Sequence, residues 1–292
     1  MLSIVKSIAL HGLQGYLVNI QVDVSSGMPS FEIVGLPDTS IKESKERVKT
    51  AIRNSTFEFL SRKIVVNLAP ANTRKEGSIF DLPIAVGILI ASNIVSNVSL
   101  DNTIFMGELS LDGSIETIKG ALPICIEAKN LGIKRIVLPK GNAKEVSIIT
   151  DIEIIPVSSL NEVINYLNGH ISIPKEKNID FFSNVNSSYN FDFSEVKGQE
   201  NVKRALEISA AGGHNCLLIG SPGSGKTMLA RRLPSILPDL TFEEALEITK
   251  IHSVSGLLSE DIPFIFKRPF RSPHHTITET SLVGGGRIPK PR

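Results

Sequence analysis

Gly220-x-x-x-x-Gly225-Lys226-Thr227 is the spacing in this 292-residue chain that most directly implies chemistry. Glycines let a backbone fold closely around an anion, so that several N–H groups converge on it. A lysine directly after the last glycine can reach the outer phosphates, and the next hydroxyl can hold a divalent cation. Gly220, Ser221, Pro222, Gly223, Ser224, Gly225, Lys226 and Thr227 are therefore the candidate nucleotide-binding residues, and Thr227 is the candidate metal contact. The implied ligands are ATP and Mg2+. A Gly-rich turn without a ligand is the plain alternative. The pattern asks for a strand before the loop and a helix after it, with the positive end of the helix dipole at the anion. Residues 216–219 (Cys-Leu-Leu-Ile) read as that strand and residues 226–237 as that helix.

Other chemistry-bearing residues have simpler readings. His252, His274 and His275 lack the Cys or carboxylate spacing of a metal site, so structural or nucleotide-proximal roles fit better. Asp112 precedes Gly113 in a turn, which accounts for it without a carboxylate pair with Glu108. Asp81 opens an apolar helical run, where a first-turn role near the helix dipole suffices. Residues 42–53 form a charged helical face with an apolar side, expected to be solvated.

Composition sets broad bounds. A hydrophobic fraction of 41%, 21% charged residues and a net charge of +1 are ordinary for a globular chain long enough for two domains. Charge is uneven: residues 267–292 carry Lys267, Arg268, Arg271, Arg287, Lys290 and Arg292 against Glu279. Such a segment can attract phosphate, or can be a solvated loop. Cys125 and Cys216 lie in apolar stretches without metal spacing and are expected to be buried, reduced thiols of a cytoplasmic protein. Residues 1–13 alternate polar and apolar types and include His11 and Gly12, so no signal peptide is expected. The longest apolar run, 82–91, is too short to span a bilayer and reads as a buried helix; no membrane partner is expected.

Periodicity divides the chain. Residues 1–168 read as one α/β domain, with strands over 16–24, 31–34, 63–68, 103–111, 135–138 and 152–156. Helices are expected over 40–54, capped by Asp38 or Thr39, and over 80–92, 121–131, 142–148 and 160–167. Residues 169–192, rich in Asn and Ser, read as a linker. Residues 193–292 form a second domain with helices over 199–211, 226–237 and 242–250, and loop-like sequence from Phe264. A parallel sheet left without its central strands there exposes apolar edges.

Longer motifs add a resemblance. They are Phe193-Ser194-Glu195-Val196-Lys197-Gly198-Gln199, Ala210-Ala211-Gly212-Gly213-His214-Asn215, Met228 to Pro234, His252 to Leu257 and Arg268 to Thr276. The first domain carries Val34-Gly35-Leu36-Pro37-Asp38, Lys42-Glu43-Ser44 and Asn67-Leu68-Ala69-Pro70-Ala71. Together these resemble the ComM/YifB family of magnesium-chelatase-like AAA+ ATPases along nearly the whole chain. The resemblance implies a Lon-protease-like (ribosomal S5 domain 2-like) α/β domain followed by part of an AAA+ P-loop α/β domain. It also implies a homo-oligomeric ring, a DNA partner and recombination or transformation work, with His214 and Asn215 near the nucleotide. Metal insertion by a magnesium-chelatase-like motor, and a relic or interaction module without turnover, remain alternatives.

Lon uses a serine activated by a lysine. The resemblance places that serine at Ile79 and that lysine at Leu122, and neither side chain can do the chemistry. Ser78 is adjacent to the serine position, but a one-residue shift points it elsewhere and Lys119 would have to reach it from a different turn, so a domain without protease activity is expected. No strand ending in paired acids follows the loop before Arg292, and sensor residues, an arginine finger and a helical lid are not found. The resemblance therefore implies a C-terminally truncated chain with no assigned catalytic residue.

Overall fold

The computed structural model describes residues 1–95, 100–178, 191–259, 261–273, 276 and 278. Two compact units divide the chain. The described residues within Met1–Ile179 and Thr249–Pro263 form one, and those within Asp180–Ile248 and Phe264–Leu282 form the other. Most of the expected linker, residues 179–190, lies outside the described residues, as do His274, His275 and much of the basic segment.

The first unit is a mixed α/β fold on a seven-stranded sheet. In chain order its elements begin β1 (Leu2–His11), β2 (Gln14–Ser25), β3 (Ser30–Val34), α1 (Thr39–Asn54), β4 (Lys63–Ala69) and α2 (Asp81–Ala91). They continue with β5 (Thr103–Phe105), the two-stranded ribbon β6 (Glu108–Leu109) and β7 (Ile115–Glu116), and α3 (Ala121–Asn130). The last are β8 (Arg135–Pro139), α4 (Ala143–Val146), β9 (Glu153–Val157) and α5 (Leu160–Leu167). Strand order is β3-β4-β2-β1-β5-β8-β9. The β1–β2 and β2–β4 pairs are antiparallel; every other pair in the sheet is parallel.

Local sequence explains most of these elements. The β1–β2 hairpin pairs His11 with Gln14, leaving Gly12 and Leu13 as a two-residue turn with Gly12 at φ +62°. The alternation over 1–13, taken above only as evidence against a leader, belongs to β1 near the middle of the sheet. Helix α1 starts where the Asp38 carboxylate accepts the Ile41 N–H at 2.9 Å, and its buried stripe is Ile41, Ser44, Val48, Ala51 and Ile52. Helix α2 is apolar on all sides and all but Ile90 is buried. At Gly87 an added Cβ would lie 2.7 Å from Val22 Cγ2, so glycine lets α2 press onto β2. Helix α5 is capped by Ser159 accepting from Glu162 N at 3.2 Å.

Two expectations in this unit need correction. The strand expected over 103–111 breaks after Phe105. Gly107 N donates to Ile79 O and Gly107 O accepts from Leu82 N, both at 3.0 Å, so the backbone leaves the sheet for the start of α2. Residues 170–178, expected to open the linker, instead stay on the unit. Ile173 is buried, Glu176 N donates to Ile154 O at 3.2 Å, and Lys175 pairs with Glu153 at 3.0 Å.

The second unit contains α6 (Glu200–Gly212), α7 (Lys226–Arg232) and the beginning of α8 (Phe242–Ser255). Its core is small: Phe193, Val196, Leu206 and Leu229, with Val202, Leu218, Leu233 and Ile236 packed against them. The helix expected over 226–237 stops at Arg232 and tightens into a 3-10 turn, Leu233–Ile236, because Pro234 has no N–H to continue it. Helix α8 outruns its expected end at Lys250. It stops at Gly256 (φ +68°), where Gly256 N donates to Ser253 O and Leu257 N to His252 O.

The strand expected over 216–219 is not formed. A strand needs a partner for its N–H and C=O groups, and among the described residues of this unit there is no other strand. Leu217 and Ile219 are 83% and 87% exposed. Cys216, expected to be buried, is exposed, whereas Cys125 is buried as expected. Among the described residues no helix is long and apolar enough to cross a membrane.

Candidate phosphate-binding loop

The loop from Gly220 to Gly225 closes around the side chain that follows it. Lys226 Nζ donates to Gly220 O at 2.8 Å, Ser221 O at 2.7 Å and Ser224 Oγ at 3.2 Å. The backbone takes this path because Gly223 and Gly225 sit at φ +78° and +87°, which L side chains rarely adopt. Gly220 is close under Ser224: a Cβ there would lie 3.0 Å from Ser224 Oγ. Gly225 is the N-cap of α7, so Lys226 and Thr227 begin the helix, and Thr227 is exposed. Leu229, one turn on, is buried in the unit's core and anchors the helix.

The eight sequence-predicted residues are consecutive: Gly220 to Gly225 form the loop, and Lys226 and Thr227 open α7. His214, expected nearby, folds back on α6: Ser209 Oγ donates to His214 O at 2.7 Å and His214 N donates to Ser209 O at 3.0 Å. Its ring lies against Gly212, where a Cβ would be 2.4 Å from His214 Nε2. Asn215 is exposed in the segment that follows. Sequence reasoning missed Gln199, whose Nε2 donates to Ser224 O at 3.0 Å. The residue was visible as the end of a motif, but nothing local ties it to a loop 25 residues away.

In the first unit, the positions matching the protease dyad are both apolar. Ile79 lies in the 3-10 turn Ser78–Phe80, and Leu122 is fully buried in α3. Neither holds a proton to transfer. A cleft of about 350 Å3 does bring Ser78, Ile79, Glu108 and Lys119 together. There the Ser78 hydroxyl donates to the Glu108 carboxylate. Asp112 serves its turn, accepting from Ser114 N at 3.0 Å and Ser114 Oγ at 2.7 Å. Asp81 is more than a first-turn acid. Wholly buried, it accepts from Arg47 Nε at 2.8 Å, from Ser44 Oγ, and from Leu109 N at 3.4 Å.

A Lon-like α/β unit followed by a phosphate loop of the magnesium-chelatase type defines the class of this chain. Family models described as "Subunit ChlI of Mg-chelatase" and "Magnesium chelatase, subunit ChlI" match residues 20–142 and 192–292. The chain belongs to the ComM/YifB family of magnesium-chelatase-like AAA+ proteins. It is 42% identical to "Competence protein ComM" of Haemophilus influenzae over 294 residues, covering 99% of this chain and 57% of that protein. It is 43% identical to "Uncharacterized protein YifB" of Escherichia coli over 290 residues, covering 99% of this chain and 56% of that protein. "Lon protease 2" of Bacillus subtilis is 30% identical over 181 residues, 56% of this chain and 32% of that protein. The chain thus spans little more than half the length of its ComM and YifB relatives. At the level of the family, membership implies use of a nucleotide and Mg2+.

Proposed function

We propose that residues 193–292 bind Mg·ATP through Gly220, Ser221, Pro222, Gly223, Ser224, Gly225, Lys226 and Thr227. Residues 1–168 serve as a Lon-like scaffold without protease activity. The observation that carries this reading is the Lys226 ammonium held inside its own loop by two backbone carbonyls and the Ser224 hydroxyl. Those contacts are replaceable: a phosphate oxygen offers the ammonium a charged acceptor in place of neutral ones, and charge-assisted bonds are the stronger. The donor set fits a triphosphate with its cation. Lys226 meets the phosphate charge, backbone N–H groups line the turn, and the Thr227 hydroxyl is free to reach Mg2+.

The whole protein, in this reading, is a cytoplasmic DNA-associated ATPase that works as a homo-oligomeric ring in recombination or transformation. Relatives bearing the ComM and YifB names match across both units at 42% and 43% identity, which favours it. The basic segment adds little: Arg268 is engaged by Glu244 at 3.0 Å and by Pro238 O at 2.7 Å. The second reading is a metal-insertion motor, supported by the magnesium-chelatase description of both family models.

The test is calorimetric titration of the purified chain with Mg·ATP, beside Lys226→Ala. We expect a saturable wild-type site and at least a tenfold loss in the variant, as for removal of a charged hydrogen-bonding partner. Equal affinity in both proteins would sink the loop reading. DNA affinity that falls steeply with salt separates the DNA motor from the metal-insertion motor.

A further inference from the structure

We propose that Gln199 is a positioning residue for the phosphate loop: its side-chain amide fixes the peptide between Ser224 and Gly225 so that the Gly225 N–H faces the bound anion. This rests on the phosphate-loop reading above.

Gln199 Nε2 donates to Ser224 O at 3.0 Å. Among the described residues the only cis peptide is Ala69–Pro70, so the Ser224–Gly225 peptide is trans. In a planar trans peptide the carbonyl and the N–H point in opposite directions. A donor that pins the Ser224 carbonyl on the Gln199 side therefore aims the Gly225 N–H the other way, toward the inside of the turn. Without that donor the peptide is free to rotate, and the loop loses one preset dipole.

Four further observations make this more than a chance contact. Gln199 holds a left-handed backbone, φ +56° and ψ +40°, directly after Gly198 at φ +66°. A non-glycine residue keeps such a conformation only where its surroundings over-determine it. Its own carbonyl accepts Val202 N and Lys203 N, both at 3.0 Å, so the residue that steadies the loop also starts α6. Gly225 completes the fit. A Cβ there would lie 3.3 Å from Gln199 Nε2 on a backbone at φ +87°, so the second glycine of the loop spacing makes room for this amide as well as for the anion. Leu206 on α6 and Leu229 on α7 belong to one apolar cluster, which holds donor and loop at a fixed separation.

The experiment titrates Mg·ATP and Mg·tripolyphosphate into wild type, Gln199→Ala, Gln199→Gly and Gln199→Lys, and follows the Gly225 amide resonance in 15N-labelled protein. Gln199→Ala and Gln199→Gly should weaken both ligands by the same factor, about five- to tenfold, as for one lost neutral hydrogen bond. The Gly225 resonance should move in both. Gln199→Lys, which offers another donor, should restore most of the affinity. Gln199→Gly relieves the left-handed strain and keeps the test open if alanine unfolds the unit. A loss confined to Mg·ATP overturns the proposal, because the amide would then serve the nucleoside. Unchanged affinities with an unmoved Gly225 resonance overturn it too. If wild type binds neither ligand while Gly225 still responds to Gln199, the phosphate-loop reading falls and the control of the peptide stands.

Discussion

Lys75 is fully buried, yet its ammonium has only backbone for company. It donates to Gly35 O at 3.2 Å, to Thr73 O at 2.7 Å and to Pro70 O. Three carbonyls replace the water a cation normally keeps, and they tie the loop over 70–75 to the residues before α1. Lys75→Met keeps the stem but orphans those carbonyls. It should lower stability by about 1–3 kcal/mol, the range for unsatisfied buried polar groups, read as a shifted urea midpoint at constant slope. Burial also pushes the Lys75 pKa below 10.5. The unfolded chain then binds more protons than the folded one between the lowered pKa and 10.5, so stability rises with pH across that window. The gap between wild type and Lys75→Met should widen there. Asp81 behaves in the opposite sense. Burial raises its pKa above 3.8 more strongly than Arg47 and Ser44 lower it. Its contribution is therefore complete below 3.8 and declines as pH climbs through the folded value. The gap between wild type and Asp81→Asn, which leaves Arg47 without its carboxylate, should therefore narrow as pH climbs through that value, read from urea midpoints at each pH. A gap that widens instead would show that the Arg47 pair outweighs the burial of the charge. The tight turn from Gly220 to Lys226 was legible in the sequence because its glycine spacing is local. Lys75, Arg47 and Gln199 were not, since each takes at least one partner far along the chain: Gly35 is 40 residues from Lys75, Asp81 is 34 from Arg47 and Ser224 is 25 from Gln199.

At the scale of elements, local signals served well wherever the element is defined by its own residues. The alternation of β2 and β4, the Asp38 cap of α1 and the all-round apolar character of α2 each mark an element the structure contains. Two failures in the first unit share one cause, a partner distant in sequence. The break at Gly107 is set by Ile79 and Leu82, and the position of β1 by pairing with β5. Packing of α2 on the sheet makes the point quantitatively. Alanine is the better helix former by about 1 kcal/mol, so propensity alone would favour Gly87→Ala. The added Cβ, however, would meet stiff, buried Val22 at 2.7 Å. Overpacking of a close core contact typically costs about 1–3 kcal/mol. We expect the contact to win and Gly87→Ala to lower the thermal midpoint; a raised midpoint would mean that α2 can retreat from β2 without cost.

For the molecule as a whole, the two cysteines report on one physical contrast. Cys125 sits fully buried within the first unit, and burial together with Glu145 pushes its thiol pKa well up. Cys216 lies in an apolar segment that the sequence marks as a strand but that has no strand to pair with among the described residues of its unit. An unpaired segment with Leu217 and Ile219 in solvent is a template for pairing with another chain. Thiol labelling of the native chain should therefore modify Cys216 at once and spare Cys125, because the thiolate is the reactive form and needs access. Cys125 should react only as denaturant opens the first unit, so its rate reads the stability of that unit. Dilution decides the rest. Cys216 that reacts at the same rate at every protein concentration means an exposed segment in a monomer. Cys216 that becomes protected as concentration rises means that copies of the chain pair there, and Leu217→Ser should then restore its reactivity. Protection that persists at the lowest concentration would contradict the exposed segment and return residues 216–219 to the strand their sequence describes.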